Sequence, residues 1–254
     1  TIYDVFIALI GGFAGILDGA GHKISNLYHS DSQAGDIGLF KYLLDGAQIS
    51  NLVLDDVSIV SSKCNTGAVA GYTSGNVKLQ KITVSGNIAS NGDCVGGLVG
   101  KVTDGRVEIQ ECELGSGTVK GANWCGGFVG AAEGSLAIME SNNDNMAVEA
   151  TVSGAGGFVG GMMGGSTGNS IEYSDCDANV SAPRIVGGIA GQATDLAVEG
   201  VQVFAFRILA QDMYCGGLVG HGTRKLAVIY SGVAHSSSAN YQENIVGSET
   251  ASSV

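Results

Sequence analysis

The sequence predicts an all-β chain, a right-handed parallel β-helix (β-solenoid) of about eight coils of ~30 residues. Three observations carry this: a glycine phrase that returns at a fixed interval, apolar residues at alternate positions between its copies, and a single proline beside 42 glycines. The phrase appears as Val95-Gly-Gly-Leu-Val-Gly100, Cys125-Gly-Gly-Phe-Val-Gly130, Ala155-Gly-Gly-Phe-Val-Gly160, Val186-Gly-Gly-Ile-Ala-Gly191 and Cys215-Gly-Gly-Leu-Val-Gly220. Counted from Gly96, Gly126, Gly156, Gly187 and Gly216, the steps are 30, 30, 31 and 29. Two reduced copies precede them, at Gly67-Ala-Val-Ala-Gly71 and Gly38-Leu-Phe40, each one repeat interval upstream of the next.

The alternation gives the strands. Ile49-x-x-Leu52-x-Leu54, Leu79-x-x-Ile82-x-Val84, Ile109-x-x-Cys112-x-Leu114 and Val198-x-x-Val201-x-Val203 place apolar residues on one face, with polar residues between them. Period two means half-buried strands, and no stretch sustains the 3.6-residue stripe of a helix. A coil is expected to hold about three short strands that stack in parallel on their neighbours ~4.8 Å away. Eight such coils make a rod roughly 40 Å long. One coil cannot bury its apolar face alone, whereas stacked coils share a core. Central ladders exclude proline, which has no N–H to donate, and Pro183 falls between two copies, where a turn belongs.

Composition sets the limits. Hydrophobic residues are 44% and charged residues 14%, enough for a continuous core and unlike a disordered chain. No composition break separates the copies, so residues 1–254 are expected to form one domain. Residues 1–35 would be its opening coil, 36–247 its repeated coils and 248–254 a polar tail. A net charge of −12 argues against nucleic acid and anionic lipid as partners. No apolar run approaches the length of a membrane span, roughly 18 residues or more. Residues 2–13 are apolar without a basic flank, unlike a signal peptide. The start at Thr1 rather than Met suggests a processed protein or a piece of a longer one.

The stretch Phe13-Ala-Gly-Ile-Leu-Asp-Gly-Ala-Gly-His-Lys-Ile-Ser-Asn-Leu27, followed by Ile37-Gly-Leu-Phe40 and Ile49-Ser-Asn-Leu52, resembles the opening of GLUG-repeat proteins. The recurring Gly-Gly-Leu-Val-Gly resembles the GLUG motif itself, and the resemblance covers residues 10–247. It implies a place in large secreted or surface proteins, among them adhesin-like bacterial proteins and the stalks of certain secreted proteases. It implies no shared catalytic residue. The copies at Gly67 and Gly187 depart from the pattern with smaller residues.

Candidate sites are sparse. Among six cysteines, Cys112 falls in the column of Leu52, Ile82 and Val201, and Cys176 in that of Leu54, Val84 and Leu114, both as small core residues. Cys64, Cys94 and Cys125 lie about one coil apart, a spacing that admits a stapling disulfide although each stands one column out of line. Trp124 and Tyr214 each stand two residues before a glycine pair, with Gly154 and Ile185 between them in the column. They are the candidate contacts for a sugar or protein partner, against corner packing. One outward column reads Ser50, Gln80, Gln110, Met139, Glu172 and Glu199, so the two glutamates are vertical neighbours without a basic residue beside them. Gly164-Gly-Ser-Thr-Gly168 matches a serine-nucleophile pattern but reads as a loop, since no helix follows. His22 sits in a Gly21-His-Lys23 turn with a structural role. Asp55-Asp56 and Asp175/Asp177 read as solvated carboxylates. No threonine ladder of the ice-binding kind runs through the repeats, and Asn179-Val-Ser181 is the only glycosylation sequon.

No catalytic residue, metal ligand or cofactor is expected. The leading expectation is a non-enzymatic extracellular or cell-surface module: a stalk, an adhesin segment or a filament subunit. Its partners would be protein (end-to-end stacking with itself or neighbouring domains) or surface glycan. The alternatives are an accessory repeat domain of a larger secreted hydrolase or protease, and a carbohydrate-binding module.

Overall fold

The structure is a computed structural model. It describes residues 10–31, 35–62, 65–144, 146–150, 158–177, 179–182, 184–203, 208–210, 214–229, 231–233 and 249–250. Pro183 and Cys64 lie outside them. Among the described residues every element is a strand and all pairings are parallel, so the chain is a parallel β-solenoid. It makes about six turns, slightly fewer than the eight expected. The small sheet that closes each coil has five strands, while the coils at Ile37 and Thr66 join it only through isolated bridges.

The remaining strands form one sheet of 23 members that wraps around the core. Strand number varies from coil to coil around the three expected: the early coils hold a short strand and a long one, Gln48–Ser61 and Val77–Ser90 each running for 14 residues, whereas from Cys94 to Ala210 a coil is divided into four or five strands. The chain bends because one residue per coil takes a left-handed conformation, inside the strand in the two 14-residue strands and between two strands in the coils that follow. That position is Asn51, Lys81, Glu111, Glu140, Tyr173 and Gly200, with φ between 47° and 63°. Non-glycine residues adopt this region at a modest cost, which a ladder bonded on both sides can hold. The corner turns the chain so that Leu52 and Ile82 point inward directly after Ile49 and Leu79.

The core is a set of stacked columns. Ile49, Leu79, Ile109, Ile138, Ile171 and Val198 form one, in register from coil to coil and fully buried. A second runs Leu54, Val84, Leu114, Asn143, Cys176 and Val203, the column in which Cys176 was expected. Burying one such aliphatic side chain contributes about 1.5–3 kcal/mol, so the columns dominate stability. Asn143 is completely buried within this column, and its Nδ2 donates to the Gly161 carbonyl at 2.6 Å. That bond offsets the cost of placing an amide among aliphatic groups.

One expected register is corrected. Gly126 pairs with Gly160, not Gly156, and Gly160 pairs with Gly187, so one step is longer than the repeat interval and the next is shorter. The phrase in use is Gly160-Gly-Met-Met-Gly164. Backbone bonds from one coil to the next connect Leu98, Phe128, Met162, Ile189 and Leu218, all fully buried. Unbranched methionine adapts to the gap that phenylalanine fills one coil earlier. With this register Gly164–Gly168 lies inside the strand Met163–Glu172, not in a loop. Its backbone is confined: a Cβ on Gly164 would overlap the Gly130 carbonyl, and one on Gly165 the Trp124 ring. The same register aligns Thr167, Thr194, Thr223 and Thr250 on consecutive coils. A threonine ladder therefore exists, confined to the last coils, and the Thr194 and Thr223 Oγ1 atoms lie 2.5 Å apart. Glu249–Thr250, within the stretch expected as a tail, pairs with Gly222–Thr223.

Candidate functional site

The small sheet carries Trp124 and, by backbone register, Tyr214. Its first column runs Cys94, Trp124, Phe158, Ile185 and Tyr214. Phe158 stands where sequence counting put Gly154, a consequence of the shifted register. The half-buried Trp124 lies over Gly165 of the next coil and closes a corner there. The Tyr214 side chain lies outside the described residues.

Cys94, Cys112, Cys125 and Cys176 are buried, and none of them is joined in a disulfide. Cys94 pairs with Trp124 while Cys125 pairs with Val95. The two thiols therefore occupy adjacent positions along the strand and project from opposite faces of the small sheet, which keeps them from bridging. Burial pushes the thiols of Cys94, Cys112 and Cys125 up to about 12, so they stay protonated and unreactive at neutral pH.

The outward column is in the expected register: Ser50, Gln80, Gln110, Met139, Glu172 and Glu199, bounded by Asp18 and Ile229. Glu172 and Glu199 are vertical neighbours. Tyr173, 61% exposed, leans over them and its hydroxyl donates to Glu199 Oε1 at 3.4 Å. The Glu199 charge raises the phenol above its ordinary range. Asp55 is bound by Lys23 at 3.0 Å and by the Ser85 hydroxyl at 3.0 Å, and these hold its carboxyl below the usual range. His22 Nδ1 sits 3.1 Å from the Gly19 carbonyl, within its own turn. Among the described residues no group of three or more His, Cys, Asp or Glu is placed to hold a metal ion.

Two features escaped sequence reasoning. Tyr42 and Tyr72 stack on the outward side of adjacent coils, ring centroids 4.6 Å apart, next to Asp36 and Asp104. Their one-coil spacing was visible, but both lie outside the alternating segments that define the strands. The second is a cleft of about 320 Å³ over Val77, edged by Gln48, Asn76, Lys78, Arg106 and Glu108. Its walls come from three successive coils and from the turns at Gly46 and Gly75, where φ is 84° and 87°.

No family model matches the chain. Over 79 residues, 31% of this chain, it is 37% identical to halomucin of Haloquadratum walsbyi, and that stretch is 1% of halomucin's length. Among solved structures it superposes on a proposed immunoglobulin A1 protease from Bacteroides ovatus with a TM-score of 0.65 at 18% identity. That match covers 85% of this chain and 68% of the other. At this identity the likeness shows the shared β-solenoid fold.

Proposed function

We propose that the chain is a non-enzymatic structural or adhesive module of a secreted or cell-surface protein, a rigid spacer that presents its outward columns to partners. The observation that carries this reading is the continuity of the ladders. Interior strands are bonded to a coil above and a coil below, so a load along the rod is shared by many backbone hydrogen bonds in parallel. The stretch similar to halomucin fits a secreted or surface setting. The likeness in fold to a proposed protease supports a second reading, an accessory domain beside a catalytic one carried elsewhere in a longer protein.

Two measurements test this. Gold-labelled antibody against the chain should mark extended rods outside the native cell, and label confined to the cytoplasm would defeat the reading. Replacing the chain in its parent by an unrelated rod of equal length should preserve any catalytic activity of that parent under the spacer reading. Loss of that activity would favour the accessory domain.

A further inference from the structure

We infer that the cleft edged by Lys78 and Arg106 binds an acidic sugar unit through its carboxylate. This goes beyond the spacer reading, and neither depends on the other.

The chain has twice as many acidic as basic side chains, 24 against 12, yet two cations converge on this one cleft from adjacent coils. Gln48, Lys78 and Glu108 form one outward column in register, with Arg106 two residues before Glu108. Arg106 Nε donates to Glu108 Oε1 at 2.9 Å. That bond orients the guanidinium and leaves its terminal nitrogens for a second, bidentate partner, the arrangement suited to a carboxylate. Among the described residues Lys78 has no acidic group within ion-pair distance. The cleft side chains thus carry two positive charges against one negative.

The nearby turn acids are already engaged. Asp45 accepts from the Asn76 backbone N–H at 2.8 Å and from Asn76 Nδ2 at 3.0 Å. Asp104 accepts from the Gly75 N–H at 2.8 Å, which holds its carboxyl below the usual range. The amides of Gln48 and Asn76 at the rim supply donors and acceptors for hydroxyl groups. A volume of about 320 Å³ is at the small end for ligand sites and matches a short segment rather than a large molecule. The net charge of −12 repels long polyanions at a distance, so the fit is to a short acidic segment or a chain end.

The test is calorimetric titration of the full chain at low ionic strength with tri-galacturonate, with its methyl ester and with a sulfated trisaccharide. The acid should bind, and the ester, which masks the carboxylates, should bind at least tenfold more weakly. Arg106→Gln and Lys78→Gln should each weaken binding of the acid at least tenfold with unchanged melting curves. Lys81→Gln, on the corner ridge outside the cleft, should leave it intact. Equal binding of acid and ester, equal loss in the Lys81→Gln control, preference for the sulfated sugar, or no binding of the acid at millimolar concentration would each overturn the assignment.

Discussion

The coils before residue 151 and those after residue 157 turn the same corner by different chemistry. In the earlier coils short strands such as Phe40–Leu43 and Ala70–Thr73 stop at a glycine turn, and long strands begin beyond it. Gly46, Gly75 and Gly105 take positive φ there, and Asp45 and Asp104 accept the turn amides. In the later coils Met163–Glu172, Ala190–Glu199 and Val219–Ile229 continue through the same corner without ending, Asp195 taking a φ of 56° beside the threonine column. The interior changes one coil before the slip and changes back after it: Leu54, Val84 and Leu114 are followed in the same column by Asn143 and Cys176, and then by Val203. At the left-handed corner Ser141 and Ser174 stand in for aliphatic residues. Each hydroxyl accepts an N–H from the preceding coil and donates to the carbonyl two residues earlier. The lesson is that the stacking register is the invariant, and corners and core columns adjust to keep it.

The largest way to break this comparison is at the glycine phrase that both halves share. A Cβ on Gly127 would overlap the Gly161 carbonyl and the Asn143 amide. Gly127→Val should cost more than about 4 kcal/mol and yield no folded rod by circular dichroism. Next is the aliphatic column: Leu114→Ala should cost about 2–5 kcal/mol in denaturant unfolding. Cys176→Ala, which removes a single sulfur, should cost clearly less, and equal losses would erase the contrast between the halves.

A third effect is alkaline. Cys94, Cys112 and Cys125 have folded pKa values raised to about 12 from an ordinary 9.0, so the unfolded chain releases their protons first. Their contribution is complete below pH 9 and declines as pH rises toward 12. Midpoints should fall over that window, and thiol reagents at mildly alkaline pH should label these three only after unfolding. The smallest effect on stability should come from a cross-link. In a Cys94→Ala background, which removes the native thiol beside position 124, Trp124→Cys with Phe158→Cys should oxidise to a disulfide readable by mass spectrometry, while Trp124→Cys with Gly154→Cys should not. The opposite result would restore the even register.

Most of the fold was legible because it rests on repetition. The Gly-Gly interval and the Ile-x-x-Leu-x-Leu alternation placed the core columns and the outward column from Ser50 to Glu199 correctly. The slipped coil was misread because two overlapping phrases compete, Gly156-Gly-Phe-Val-Gly160 and Gly160-Gly-Met-Met-Gly164, and the first looks more like its neighbours. The distance to the next alternating segment held the answer: Ile171 follows Gly160 at the same spacing as Val198 follows Gly187. The cleft was not legible. It depends on Gln48, Lys78 and Arg106 meeting across three coils at a turn, and no spacing rule ties Arg106 to the repeat.

The slipped coil also says how such a chain tolerates change in its gene. One coil runs long, the next runs short, and the register is regained by Gly187. A small insertion or deletion between strands is therefore a local event, absorbed within one neighbour and invisible to the rest of the rod. A lineage carrying this scaffold can lengthen, trim or duplicate coils one at a time while keeping every other surface column in place.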